Sequence, residues 1–219
     1  MDFIEISQII EERREVLKNS KDSIEVIDYG AGSPNERRSR EQMQEGVISQ
    51  ISLASLASIG VKREKAQQIF EIFEILKPKN ILELGSCCGF SSAYMGFFAP
   101  NAKIYTIEGS PNIAKVAKET HKVFGLENIE IFIGRFDKVL PELLESISPI
   151  DFAFIDGHHD KNATLDYFQQ ILPFMAKDGV MLFDDIAWSE GMKEAWQEIL
   201  ARKKHKKFQD FGWMGAIWL

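Results

Sequence analysis

Cysteine is nearly missing from this 219-residue chain: only Cys87 and Cys88 occur. They are adjacent, where a disulfide is strained and uncommon, so no disulfide scaffold is expected and the usage points to a reducing cytoplasm. Long apolar runs are absent too. The least polar stretch, residues 51–61, is interrupted by serines and falls far short of the ~20 apolar residues of a membrane helix. Residues 1–20 mix acids and bases instead of carrying the apolar core of an export signal. Basic charge is in deficit, with 26 Lys plus Arg against 33 Asp plus Glu and a net charge of −7. Such a field repels polyanions and disfavours nucleic acid as a partner. No internal repeat or low-complexity tract is present. What remains is a chain of ordinary globular composition, long enough for one core with an extra lobe.

The texture changes near residue 60. Before it, Ile6, Ile9, Ile10, Arg13, Val16 and Leu17 form a mostly apolar helical stripe, and Asp28 to Pro34 reads as a turn rich in glycine. Residues 1–60 are expected to form a helical extension, with the Asp28-Ser33 loop either a static turn or a lid. From 61 to 219, β-rich runs alternate with amphipathic helices, the pattern of a parallel sheet covered on both faces. Strands are expected at Asn80–Leu84, Lys103–Ile107, Ile129–Ile133, Ile150–Ile155 and Val180–Phe183. The ending differs: His205–Asp210 and Trp213–Leu219, joined by a turn at Gly212, read as an antiparallel hairpin. The fold class is therefore α/β, a Rossmann-like, doubly wound, mostly parallel seven-stranded sheet. A terminal hairpin is foreign to the dinucleotide-binding form of that sheet.

Ile81-Leu82-Glu83-Leu84-Gly85-Ser86-Cys87-Cys88-Gly89-Phe90-Ser91-Ser92 is a strand that ends in a glycine loop and opens a helix. Glycines let the backbone approach a ligand, and the helix start offers unpaired N–H groups. Three residues separate Gly85 from Gly89, which departs from the spacing that fits a pyrophosphate. Glu108 closes the second strand, where a carboxylate can accept from both hydroxyls of a ribose; a solvated acid before the Ser110-Pro111 helix start is the plain alternative.

Leu82 through Ser92 resembles the first motif of class I S-adenosylmethionine-dependent methyltransferases. Cys88-Gly89-Phe90-Ser91 is similar to the catechol and caffeoyl-CoA O-methyltransferase branch, and the resemblance of the βα pattern spans residues 62–219. It implies that Glu83, Gly85, Ser86, Cys87, Gly89 and Phe90 surround the methionine part of the cofactor, with Ser91 near its carboxylate. It also places Gly134, Arg135, Phe136 and Asp137 at the adenine. Asp137 would accept from the amino group and Phe136 would stack, unless Asp137 is a plain helix N-cap.

Asp156-Gly157-His158-His159 follows the apolar fourth strand, and Asp184 and Asp185 follow the fifth, all delivered to the sheet edge where α/β folds bind ligands. Asp156, Asp184 and Asp185 resemble the acids with which catechol-type enzymes hold Mg²⁺, although those enzymes usually carry Asn where Asp185 stands. Clustered carboxylates repel, and a hard divalent cation such as Mg²⁺ or Mn²⁺ relieves that cost; without one, the acids would orient substrate or cap a helix. His159 falls where the family has a basic lysine, and a neutral imidazole there suits a proton acceptor, with His158 as substitute. Arg37, Arg38 and Arg40 suit either an anionic substrate group or a solvated face. Trp188, Trp196, Trp213 and Trp218 are expected in the core.

The reading is an S-adenosylmethionine-dependent methyltransferase acting on an oxygen of a small-molecule acceptor. It is expected in the cytoplasm, away from membranes, with a homodimer left open. A non-catalytic S-adenosylmethionine-binding protein and, behind it, a nicotinamide-dependent oxidoreductase are the rival readings.

Overall fold

The computed structural model describes residues 1–33, 36 and 38–219; Pro34 of the expected turn and Arg37 lie outside the described residues. The first helix, α1 (Phe3–Lys18), opens on a reciprocal cap in which Asp2 accepts from the Glu5 N–H and Glu5 accepts from the Asp2 N–H, each at 2.9 Å. Its inner face is Ile6, Ser7, Ile10, Arg14 and Leu17. Val16 of the expected stripe is exposed, and Arg14 is buried in place of Arg13.

The rest of the extension corrects the all-helical expectation. β1 (Ser23–Asp28) and β2 (Val47–Ser52) pair antiparallel in a separate two-stranded sheet, with α2 (Arg40–Glu45) between them in the chain. Each strand is half apolar, but Val26 is their one buried apolar residue, with Ile24 and Ile51 partly buried against the core. Ser23-Ile24-Glu25-Val26 alternates but is too short to announce a strand by itself, and Val47-Ile48-Ser49-Gln50-Ile51-Ser52 does not alternate. The helices α3 (Leu53–Ser58) and α4 (Arg63–Leu76) lead into the main sheet.

That sheet is built from β3 (Asn80–Leu84), β4 (Lys103–Glu108), β5 (Ile129–Ile133), β6 (Ile150–Ile155), β7 (Met175–Phe183), β8 (Lys207–Asp210) and β9 (Gly215–Trp218). Its order is β5-β4-β3-β6-β7-β9-β8, with β9 antiparallel to both neighbours and the others parallel. The expected seven-stranded sheet and its terminal antiparallel pair are both present. Between the strands run α5 (Phe90–Phe98), α6 (Pro111–Val123), α7 (Phe136–Ile147), α8 (Lys161–Ile171) and α9 (Glu190–Ala201).

Successive strand residues point to opposite faces, and both faces are covered. Ile81, Phe152, Phe154 and Leu182 pack with α1, α3, α4 and α5, whereas Leu82, Leu84, Ala153, Ile155 and Met181 pack with α7, α8 and α9. Central strands buried on two sides are mostly apolar, and β6 is apolar at every position but Asp151.

Arg14 fastens the extension to this core. Its guanidinium donates to the carbonyls of Ala57 at 2.9 Å, Ile59 at 3.1 Å and Val61 at 2.5 Å, pairs with Glu11 at 2.8 Å, and lies 4.0 Å over the Phe90 ring. A charge can be buried this way only because nearly every donor is matched. Replacing Arg14 by Met strands the buried carbonyls of Ala57 and Val61, so urea denaturation should show a loss of about 2–4 kcal/mol. Arg14→Lys should recover only part of it, because an ammonium cannot reproduce the fork. A denaturation curve for Arg14→Met that overlays the wild type would contradict this role.

Candidate active site

Strand register builds the site. Leu84 lies level with Ile107 on one side and Ile155 on the other, and Ile155 lies level with Phe183. The ladder runs one rung further: Gly85 donates to the Ile107 carbonyl at 3.0 Å, Asp156 to Leu84 at 3.0 Å, and Asp184 to Ile155 at 2.9 Å. Glu108, Gly85, Asp156 and Asp184 thus stand in one row at the carboxyl edge. Above the row opens a cavity of about 1430 Å³, lined by Cys87, Glu108, Phe136, Asp156, His159 and Trp213 among others. Trp188 lines it as well. The expectation of core packing therefore holds for Trp196 and fails for Trp188 and Trp213.

Gly85 has φ +101°, and a Cβ there would clash with the Asp156 carbonyl of the neighbouring strand. The turn is thus possible only with glycine. Cys87 follows with a left-handed φ of +45° and directs its N–H to the Glu108 carboxylate at 3.1 Å. The other Glu108 oxygen accepts from the Ser110 N–H at 2.9 Å. Beneath the loop, Ser86 meets Thr106 at 2.6 Å and Thr106 donates to Glu83 at 2.5 Å, all of them buried. The second Glu83 oxygen has no hydrogen-bond partner among the described residues. Burial pushes the carboxyls of Glu83 and Glu108 up to about 7. Ser91 is buried beside Glu83, and Phe90 packs in the core under Arg14. Glu83, Ser86, Gly89, Phe90, Ser91 and Gly134 support the loops from below, while Gly85, Cys87, Glu108, Arg135, Phe136, Asp137, Asp156 and Gly157 line the cavity.

At the far end, α7 begins at Phe136 with Arg135 as its N-cap residue, so Asp137 sits in the first turn and is not the cap. Both Asp137 oxygens accept from Arg135, each at 2.9 Å. Burial alone would raise this carboxyl, but the Arg135 hydrogen bonds and charge hold it below its usual range. The Phe136 ring packs edge-on to Tyr167 and closes on Gly157.

The acid cluster departs from a simple triad. Asp156, His159 and Asp185 each offer a ligand atom within 4.8 Å of one another. Asp184 instead bonds Lys65, at 2.5 Å, and Lys65 also reaches Asp185 at 3.0 Å. Sequence reading missed Lys65, because a lysine on the amphipathic helix α4 looks like an ordinary solvated residue; its only distinguishing signal is its place in the first turn after a cavity wall. Burial, then the neighbouring Asp184 and Asp185, push the Asp156 carboxyl well above its usual range, and burial raises Asp184 to about 6. Burial lowers the imidazoles of His158 and His159, so both are neutral at pH 7. His158 Nδ1 pairs with the Tyr167 hydroxyl at 2.8 Å. His159 lies 4.0 Å from Asp156 and 3.7 Å from Asp185, and its Nδ1 is shielded from solvent without a hydrogen-bond partner. His158, His159 and Asp185 all have left-handed φ values, of +71°, +48° and +53°. Strain of this kind in non-glycine residues gathers at working sites.

Comparison with known proteins agrees with this geometry. Residues 82–186 match the family model described as a methyltransferase domain. A catechol O-methyltransferase of Niastella koreensis is 33% identical over 120 residues, covering 53% of this chain and 53% of that protein. One of Sus scrofa is 26% identical over 114 residues, covering 50% of this chain and 61% of that protein. The matched region thus spans about half the length of these relatives. Among solved structures, an O-methyltransferase of Bacillus cereus in complex with S-adenosylhomocysteine superposes with a TM-score of 0.63 at 21% identity, over 76% of this chain and 86% of that one. TomG of Streptomyces achromogenes, in complex with S-adenosylmethionine, gives 0.62 at 18% identity, over 73% and 81%. The fold is that of the class I methyltransferases. The two curated relatives named above are catechol O-methyltransferases.

The buried acids tie stability to pH. With a folded pKa near 7 against an ordinary 4.5, Glu108 keeps a proton that the unfolded chain releases, so its contribution is full below 4.5 and is lost as pH rises through 7. Glu108→Gln should therefore match the wild type at pH 5 and exceed it at pH 8 by on the order of 1–3 kcal/mol in ligand-free chemical denaturation. Equal stability differences at the two pH values would rule this out.

Proposed function

We propose that the chain transfers the methyl group of S-adenosylmethionine to a hydroxyl oxygen of a small molecule. The observation carrying this reading is the single row Glu108, Gly85, Asp156 and Asp184, which sets a ribose-accepting carboxylate and a catalytic acid cluster one strand apart on either side of a glycine turn. Glu108 accepts the ribose hydroxyls, the Gly85–Cys87 turn lets the amino-acid part of the cofactor approach the backbone, and Phe136 offers a face to the base. The acid row also creates a negative field that suits a sulfonium cation.

The chemistry is an in-line displacement: the acceptor oxygen bonds to the methyl carbon as the carbon–sulfur bond breaks, and S-adenosylhomocysteine leaves as a neutral thioether. The protein must hold the oxygen about 3 Å from the methyl carbon and take its proton. His159, neutral and facing Asp156 and Asp185, receives that proton. Asp156 and Asp185 stabilise the imidazolium that forms. Lys65 keeps Asp184 in place and offsets part of the cluster's charge.

A divalent cation fits this cluster, since burial and then the neighbouring Asp184 and Asp185 raise the Asp156 carboxyl and the three donor atoms converge. Asp156 and Asp185 would hold it, with Asp184 withdrawn to Lys65. When bound, such an ion would lower the pKa of an acceptor hydroxyl.

The division of labour between nucleoside and acid cluster is testable by one substitution. Asp156→Ala should cut turnover by at least about 10²-fold while leaving S-adenosylhomocysteine affinity, measured by calorimetry, within about tenfold, or ~1.4 kcal/mol. Parallel loss of both would contradict the assignment. Binding of NAD in place of S-adenosylhomocysteine would favour an oxidoreductase, and binding without transfer to a broad hydroxyl-acceptor panel would favour a non-catalytic binding protein.

A further inference from the structure

The segment that follows β1 runs as a strap along the rim of the cavity. At one end Asn112 donates to the Glu25 carbonyl at 2.8 Å, and the Ile27 N–H reaches the Ser110 hydroxyl at 3.3 Å. At the other end the Ala31 N–H donates to the His158 carbonyl at 2.8 Å. The strap therefore starts beside the end of β4, two residues past Glu108, and finishes beside the end of β6, two residues past Asp156. Between these anchors Arg38 holds it in shape, donating to Asp28 at 2.6 Å and to the Gly30 carbonyl at 3.0 Å.

Tyr29 is the large side chain in the middle of this span, half-buried and lining the cavity. Its ring lies against the backbone of Gly109, where a Cβ would stand only 2.8 Å from Tyr29 Cδ2. Gly109 directly follows Glu108, so the ring borders the position assigned to the ribose. The Arg135 guanidinium lies 5.8 Å from the ring centre, and Arg135 also donates to the Gln44 carbonyl of the extension. Arg135 and Phe136 are the residues that wall the base end of the cavity. An aromatic face is thus held between the sugar acid and the base wall, on a segment outside the region matched by the family model.

We propose that Tyr29 is a cofactor-binding residue supplied by the extension: its ring packs on the purine nucleoside, and the strap of residues 27–31 roofs the cofactor. The proposal rests on the methyltransferase reading but concerns the nucleoside alone. An aromatic face can grip a purine whatever happens at the methyl group, so binding measurements suffice to test it.

In calorimetric titrations, Tyr29→Ala should weaken S-adenosylhomocysteine by about tenfold or more, as expected for loss of a stacked base. Adenosine, used as a nucleoside-only probe, should weaken by a similar factor, and Tyr29→Phe should stay within about twofold of the wild type. In the wild type, hydrogen exchange at residues 27–31 should slow when S-adenosylhomocysteine is added, a readout that stands even if the alanine variant folds poorly. Affinity of Tyr29→Ala within about twofold of the wild type, or strap exchange unchanged by ligand, would overturn the proposal. A wild-type protein that binds neither probe would overturn the methyltransferase reading with it, which separates the two failures.

Discussion

The parallel register of β4, β3, β6 and β7 is the constraint on which the site depends. Because Ile107, Leu84, Ile155 and Phe183 are level, the next residue of each strand is delivered to the same edge at the same height. Three of those four residues are acids, and the fourth is the only residue type that tolerates the neighbouring carbonyl. A slip of one residue in any pairing would turn its acid toward the other face. The apolar core on both sides of the sheet opposes such a slip at every strand position.

Concentrating acids at the end of a buried sheet is costly, and the structure shows how the cost is met. Glu108 is capped by two backbone N–H groups, Glu83 by Thr106, and Asp184 by Lys65. Asp156 is left with the least compensation, and its carboxyl is raised accordingly. A ligand that brings hydroxyl donors to Glu108 and positive charge near Asp156 relieves both sites together. Under the proposed function, the same residues would tie stability to the binding of a cationic nucleoside.

Much of this was legible in the sequence. Short β-rich runs between amphipathic helices mark the strands, and Asn80–Leu84, Ile129–Ile133 and Ile150–Ile155 fall where they were expected. The glycine turn after Leu84 and the acids after Ile155 and Phe183 could be placed at one edge because parallel strands all end there. The extension was less readable. Its two strands are short, with at most four residues in alternation, and Arg14 looks like a surface residue until the fold brings close the carbonyls it serves, the first of them 43 residues away. Lys65 was hidden for a related reason, since it belongs to a locally ordinary helix; Tyr29 lies in the glycine-rich loop that could be noticed, but its place beside Gly109 is visible only in the fold.

The most direct test is a crystal structure grown with S-adenosylhomocysteine. The account predicts the ribose hydroxyls on Glu108, the homocysteine chain along the Gly85–Cys87 turn, and the sulfur directed toward Asp156 and His159. A ligand bound elsewhere, or a nucleoside whose ribose makes no contact with Glu108, would contradict it.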